Sequence, residues 1–192
     1  MEVLTIKNKR GTRKIYPQKF ALWSAMASII MMFAALTSAY IVRKAAGNWL
    51  EYQLPTIFYY STVVILLSSV ALHSSYLAYK KGNAVWYRLG LVIAFVLGVT
   101  FVVMQYLGWT SLYDIGVELN GNPSGSFFYL ISGLHAAHVL GGIAILFVAM
   151  AHAFGLKFKV TNKRLIRFEL SWQYWHFVDF LWIYLLIFLV IQ

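Results

Sequence analysis

Apolar residues along the chain fall into five long runs separated by short polar segments. The runs cover residues 20–42, 55–79, 86–109, 125–154 and 172–191. A bilayer core of ~30 Å needs roughly 20 apolar residues of helix to cross it, and each run meets that length. The second opens on Pro55, suited to a first helical turn, and the fourth is long enough to tilt. The pattern predicts an all-α integral membrane bundle of five transmembrane helices over residues 20–192. A basic segment, residues 1–19, precedes it. This segment is too long for the charged region of a signal peptide, no small-residue cleavage site follows the first run, and Arg43 and Lys44 come next. The first run is therefore expected to remain in the mature protein.

Composition strengthens this picture. Of 192 residues, 61% are hydrophobic and 11% charged, too few charges to cover a water-soluble domain of this size. There is no Cys, which excludes disulfides, thiolate metal sites, iron–sulfur clusters and Cys nucleophiles. The net charge of +10 raises the question of nucleic acid, and the placement of the charges answers it. Lys7, Lys9, Arg10, Arg13, Lys14 and Lys19 precede the first run. Lys80, Lys81 and Arg88 lie around the second connection, and Lys157, Lys159, Lys163, Arg164 and Arg167 between the last two runs. With alternating spans all of these share one side, and only Arg43 and Lys44 lie on the other. The positive-inside rule then puts the N-terminus in the cytoplasm and Gln192 outside. The charge is topological, and no nucleic-acid partner is expected.

Trp23, Trp86, Trp172 and Trp175 fall at the inner ends of the runs and Trp49 and Trp109 at the outer ends, as an interfacial aromatic belt does. Trp182 is mid-span and is expected to pack against another helix. No internal repeat is evident, which argues against an inverted-repeat transporter.

Candidate chemistry is confined to a few polar residues inside the spans: His73, Gln105, His135, His138, His152, His176 and Asp179. Such residues usually face a bundle interior or a cavity. His135 and His138, three apart, share a helical face. They could be a metal or haem ligand pair, or two interhelical hydrogen bonds on a packed face. Packing is favoured, because no carboxylate lies at that depth to complete a metal site. The row Gly133, Ala137, Gly141 is also of the kind that admits a neighbouring helix. His176 and Asp179 are again three apart. They read as a proton relay or as a structural pair fixing two helices or subunits. The structural pair is favoured, since one carboxylate makes no path. His73, His152 and His176 near the inner face leave bis-His haem ligation open. Ser132 precedes His135 on one helix, without the second-helix base that a serine protease needs. Residues 120–125 read as an exposed outer turn.

Three segments go further. Residues 124–142 read SGSFFYLISGLHAAHVLGG, residues 173–184 read QYWHFVDFLWIY, and residues 97–109 read LGVTFVVMQYLGW. Together they resemble three signature helices of subunit III of the haem–copper terminal oxidases, the cytochrome c oxidase family. The likeness covers most of residues 20–192, and the YWHFVD segment is its most specific part. Two departures stand out. The family's membrane Glu in the third motif falls at Gly108, and five spans stand where longer members have seven. The two absent spans correspond to helices that build one wall of a lipid-holding cleft.

The resemblance implies a non-catalytic accessory subunit of a proton-pumping oxidase that passes electrons from cytochrome c to oxygen. It would pack on subunit I alongside subunit II, hold phospholipid and support sustained turnover. Haem and copper would reside in the partner subunits, with no redox centre, metal or catalytic residue in this chain. His135, His138, His176, Asp179, Gln105, Trp175, Gly133 and Gly141 become candidate packing, lipid-contact or subunit-contact residues. The expected location is a bacterial inner membrane. A quinol oxidase, a nitric oxide reductase partner, and a haem- or metal-binding membrane protein are the alternatives.

Overall fold

A computed structural model of the chain describes residues 17–192. Five helices run in order: α1 Pro17–Ala45, α2 Ile57–Lys80, α3 Ala84–Asp114, α4 Pro123–Gly155 and α5 Asn162–Ile191. All five are long and apolar enough to cross a membrane, and no strand occurs among the described residues. Polar side chains at the helix starts satisfy amide groups that have no partner within the helix. Asn83 accepts from the Trp86 amide, Asn122 from Ser124, and Thr161 from Arg164.

Several boundaries differ from the hydropathy reading: α2 begins at Ile57, so Pro55 precedes its first turn, and α3 runs on past Trp109 to Asp114. Helix α5 begins ten residues before position 172, because residues 162–171 carry charges that hide a helix packed through Phe168. Helix α4 begins at Pro123, so Gly125 is buried in its first turn rather than exposed in a loop. A side chain there would stand 2.5 Å from the Glu118 carbonyl oxygen.

Helix α5 is the hub. It packs on α1, α2 and α4, while α3 fills the space between α2 and α4, and α1 touches only α4 and α5. The α2–α3 hairpin is the tightest pair. Ser61, Ser68 and Ser75 recur every seven residues on the α3 side of α2. Ser68 donates to the Ala94 carbonyl at 2.8 Å and Ser75 to the Tyr87 carbonyl at 2.7 Å. Ser61 accepts from Gln105 at 3.0 Å. Membrane hydrogen bonds of this kind contribute only ~0.6 kcal/mol each on average, so they set register while side-chain packing supplies most of the stability.

The two ends are tied differently. At one, Lys19 pairs with Glu169 at 2.8 Å, Arg88 donates to the Ala153 carbonyl at 2.9 Å, and Arg164 to that of Lys157 at 2.9 Å. At the other, Lys44 meets the Gln192 carbonyl and the α1–α2 connection folds over α4. There Ser124 donates to the Leu50 carbonyl at 2.8 Å, and Trp49 packs edge-on against Tyr40. Burial raises the Tyr52 hydroxyl pKa above its ordinary value. The described basic residues thus sort between the two ends as the charge pattern predicts. Lys7, Lys9, Arg10, Arg13 and Lys14 lie outside the described residues.

Candidate functional site

Helix α5 carries its indole rings inward along one face. Trp175 and Trp182, seven apart, are both buried. Trp175 lies in the slot between α3 and α4, and only glycine at positions 98 and 142 leaves room for it. A Cβ at Gly98 would stand 2.6 Å from the Trp175 ring, and one at Gly142 would stand 2.9 Å from it. Trp175 is 1% exposed, so the interfacial role expected of it does not hold. Trp23 and Trp86 are exposed at the ends of their helices, as a belt requires.

Two turns along, Trp182 stacks on His135, with ring centroids 5.0 Å apart. Phe101 meets the same imidazole edge-on. Neither nitrogen of His135 has a hydrogen-bond partner. His138 bonds through Nδ1 to the Leu134 carbonyl of its own helix at 2.7 Å, and its ring packs on Phe33 of α1. The two histidines therefore make no interhelical side-chain hydrogen bonds, contrary to expectation. They also point apart, His135 toward α3 and α5 and His138 toward α1. A three-residue step turns a side chain by ~300°, and the 60° difference is enough to reach different neighbours.

The small-residue row is also corrected. Gly133 is half-buried, Ala137 and Gly141 are exposed, and a Cβ at Gly133 would meet nothing within 4 Å. The face that closes is the adjacent one, His135, Val139 and Gly142, because the bulk of Trp175 and Trp182 selects it.

At Gly108, the position of the carboxylate missing from the resemblance, the Phe58 ring takes the space. A Cβ there would lie 2.5 Å from the ring tip, and Phe58 is held by Phe128 and Trp182. Gln105 is buried, with its Nε2 on Ser61 and its Oε1 unpartnered. Ser132 gives its hydroxyl proton to the Phe128 carbonyl and accepts from Trp109 Nε1 at 3.0 Å, so it is a helix-pinning group and no nucleophile.

His176 and Asp179 do not bond to each other directly. The Ser69 hydroxyl of α2 stands between them, bonded to Asp179 Oδ2 and 2.9 Å from His176 Nδ1. A short hydroxyl from a second helix does what a direct side-chain pair on one helix does not, which is to lock α2 to α5. Losing one partner of a buried hydrogen bond costs about 1–3 kcal/mol. Asp179→Leu is therefore expected to lower thermal stability in detergent by that amount, and Asp179→Asn, which can still accept from Ser69, by less than half of it. Equal losses in the two variants would remove the hydrogen bond as the cause.

His73 is exposed, its ring centroid 6.1 Å from that of His176. His152 is exposed and bonds to the Val148 carbonyl of its own helix. Among the described residues no three His, Asp or Glu side chains are placed to hold a metal ion.

One cavity stands out, of about 600 Å³, at the basic end between α4, α5 and their connection. Ala144, Ile145, Val148 and Ala149 form its apolar wall, and Lys157, Lys159 and Arg167 stand at its polar end. The sequence reading missed this cavity and missed Ser69. The basic run 157–167 signalled the first only as charge. The hydroxyl at Ser69 had no marker apart from the heptad of its neighbours.

A family model described as Cytochrome c oxidase subunit III matches residues 50–191. Similar proteins include Cytochrome c oxidase subunit 3 of Corynebacterium diphtheriae, 31% identical over 165 residues, covering 82% of this chain and 80% of that one. The protein named Probable cytochrome c oxidase subunit 3 of Mycobacterium tuberculosis H37Rv is 32% identical over 163 residues, covering 82% and 79%. Cytochrome c oxidase subunit 3 of Rattus norvegicus is 30% identical over 125 residues, covering 65% of this chain and 46% of the rat protein.

Proposed function

This chain belongs to the cytochrome c oxidase subunit III family, and on that premise we propose that it is a non-catalytic accessory subunit of a proton-pumping terminal oxidase. It packs on subunit I, beside subunit II, in a bacterial plasma membrane, with the N-terminus in the cytoplasm. Cytochrome c is the electron donor to the complex, and haem and copper are held by the partner subunits.

The observation that carries the reading is where the family-like residues go. The three segments that resemble the family, 97–109, 124–142 and 173–184, meet one another through Trp175 on Gly98 and Gly142, and through Trp182 on His135 and Phe101. Their characteristic side chains are consumed in packing three helices together. His135 is stacked on Trp182 and met edge-on by Phe101, and is a packing residue in this reading.

The cavity at the basic end supports a lipid-holding role. Its apolar wall suits acyl chain and its lysines and arginine suit a phosphate, the two halves of a phospholipid. Replacing Lys157 and Lys159 together by Glu is expected to lower the co-purifying anionic phospholipid by at least about one molecule per chain in native mass spectrometry. Unchanged lipid content would remove the cavity as the holding site.

The accessory reading is tested by purification through this chain in mild detergent, with mass spectrometry of the subunits and a reduced-minus-oxidised spectrum. A haem–copper subunit I and a subunit II with a binuclear-copper motif are expected. A subunit II without copper ligands would assign a quinol donor. A nitric oxide reductase in their place, or haem on this chain alone, would overturn the reading.

A further inference from the structure

Four cations line the cavity at the basic end, Lys157, Lys159, Arg164 and Arg167, and among the described residues no carboxylate does. The chain has six carboxylates, of which Glu2 lies outside the described residues. Glu51, Asp114 and Glu118 stand at the opposite end, on or beside the connections that follow α1 and α3. Glu169 is paired with Lys19, and Asp179 is bonded to Ser69.

The fold sets the four cations as two pairs at one mouth. The α4–α5 connection is extended at Leu156 and again at Thr161. Residues two apart on extended backbone share a side, as Lys157 and Lys159 do here. The connection is pinned from two helices. Arg164 donates to the Lys157 carbonyl at 2.9 Å, and the Tyr79 hydroxyl donates to that of Lys159 at 3.1 Å. Arg164 and Arg167, three apart on α5, share a helical face. Arg164 is also in the first turn of α5, where the helix dipole is positive.

Shape and charge then select the occupant. The lining follows α4 from Ala144 to Leu156, ~18 Å of helix. At ~30 Å³ per non-hydrogen atom, the share of one water molecule in the liquid, the cavity of about 600 Å³ holds roughly 20 atoms. That is one acyl chain and little more, so the headgroup stands at the mouth, among the exposed Lys157, Lys159 and Arg167. A choline or ethanolamine headgroup is neutral overall and would turn its ammonium toward four cations. A glycerol headgroup brings one negative charge. A headgroup with two phosphates brings two, one for the lysine pair and one for the arginine pair, which hold phosphate as point charges and as planar forks respectively.

We propose that this mouth recognises a lipid headgroup carrying two phosphates, with one acyl chain of that lipid laid along α4 and the others outside in the bilayer. Basic pockets between helices on the cytoplasmic side suit such headgroups. The inference rests on the lipid-holding reading and adds the class of headgroup.

The test is native mass spectrometry of the purified complex in micelles of defined lipid. Diphosphatidylglycerol competes with phosphatidylglycerol of matched chains, two molecules of the second for each of the first, so that total charge is equal. A preference for diphosphatidylglycerol of at least about tenfold is expected. Lys159→Gln and Arg167→Gln should each reduce it several-fold, and Lys81→Gln, at the same end but outside the cavity, should leave it unchanged. Inorganic diphosphate at the concentration of the lipid should displace little of it, because it makes no use of the apolar wall. Equal binding of the two lipids, with both lost on replacing Lys157 and Lys159 by Glu, would overturn the two-phosphate headgroup and leave the lipid-holding reading intact. Ready displacement by inorganic diphosphate would overturn the assignment to a lipid. Lipid binding that ignores residues 157, 159 and 167 would overturn both.

Discussion

Trp175→Ala is expected to be the most damaging single truncation in the chain. The indole is 1% exposed and fills a slot lined by two glycines, so nothing nearby can move in to replace it. Trp-to-Ala changes in packed interiors cost ~3–5 kcal/mol, the lost contacts plus the void left behind. In a membrane the dispersion part of that cost dominates, because lipid competes for the apolar surface but cannot enter a closed slot. The Trp175 ring nitrogen has no partner, so no hydrogen bond is lost to confuse the result. Thermal unfolding in detergent should fall by more than 10 °C, with the helix content below the transition unchanged. Adding Gly142→Leu to Trp175→Ala should recover part of the loss, whereas Gly142→Leu alone should destabilise. Additive effects of the two changes would show that they do not share a space.

Gly108→Glu should be as severe for a different reason. It places a carboxylate where the resemblance leads one to expect it, yet here the Cβ alone would lie 2.5 Å from the Phe58 ring. Phe58 is 1% exposed and wedged between Phe128 and Trp182, so it cannot swing aside. Overpacking costs ~1–3 kcal/mol, and an unpaired buried carboxyl adds a penalty of similar or larger size. Expression of folded chain should be lost. Pairing the change with Phe58→Ala should restore folding in part, by opening the space the side chain needs. Normal yield of Gly108→Glu alone would mean that α2 and α3 are not held as tightly as Phe58 implies. The residue at 108 and the residue at 58 thus form one unit across two helices, and neither substitution is informative without the other.

These two outcomes bear on how the accessory role is met. The proposed accessory role calls for a rigid wall. The aromatic core held by Trp175, Trp182 and Phe58 supplies the rigidity. The cavity at the basic end, lined by Ala144, Val148, Lys157 and Lys159, is the site proposed for lipid.

Much of this was readable from one line of text because the bilayer imposes a simple length rule. Five apolar runs gave five helices, and the described lysines and arginines sorted between the two ends. Three motif segments pointed to the family that the comparisons then showed. Helix ends were less legible where charge and helix coexist, as in residues 162–171, since hydropathy sees the charges and not the cap at Thr161.

What the sequence determined by itself, then, was the number of spans, the family and the residues worth asking about. Which side of α4 closes against α5, which ring fills the space at Gly108, and which hydroxyl stands between His176 and Asp179 were decided only by the tertiary structure. The reason is geometric. A helical sequence states what lies on each face of one cylinder, but a neighbour one turn up or 60° around is chosen by the bulk of side chains on other helices. Ser69 is an ordinary serine until α5 brings two polar groups to its oxygen.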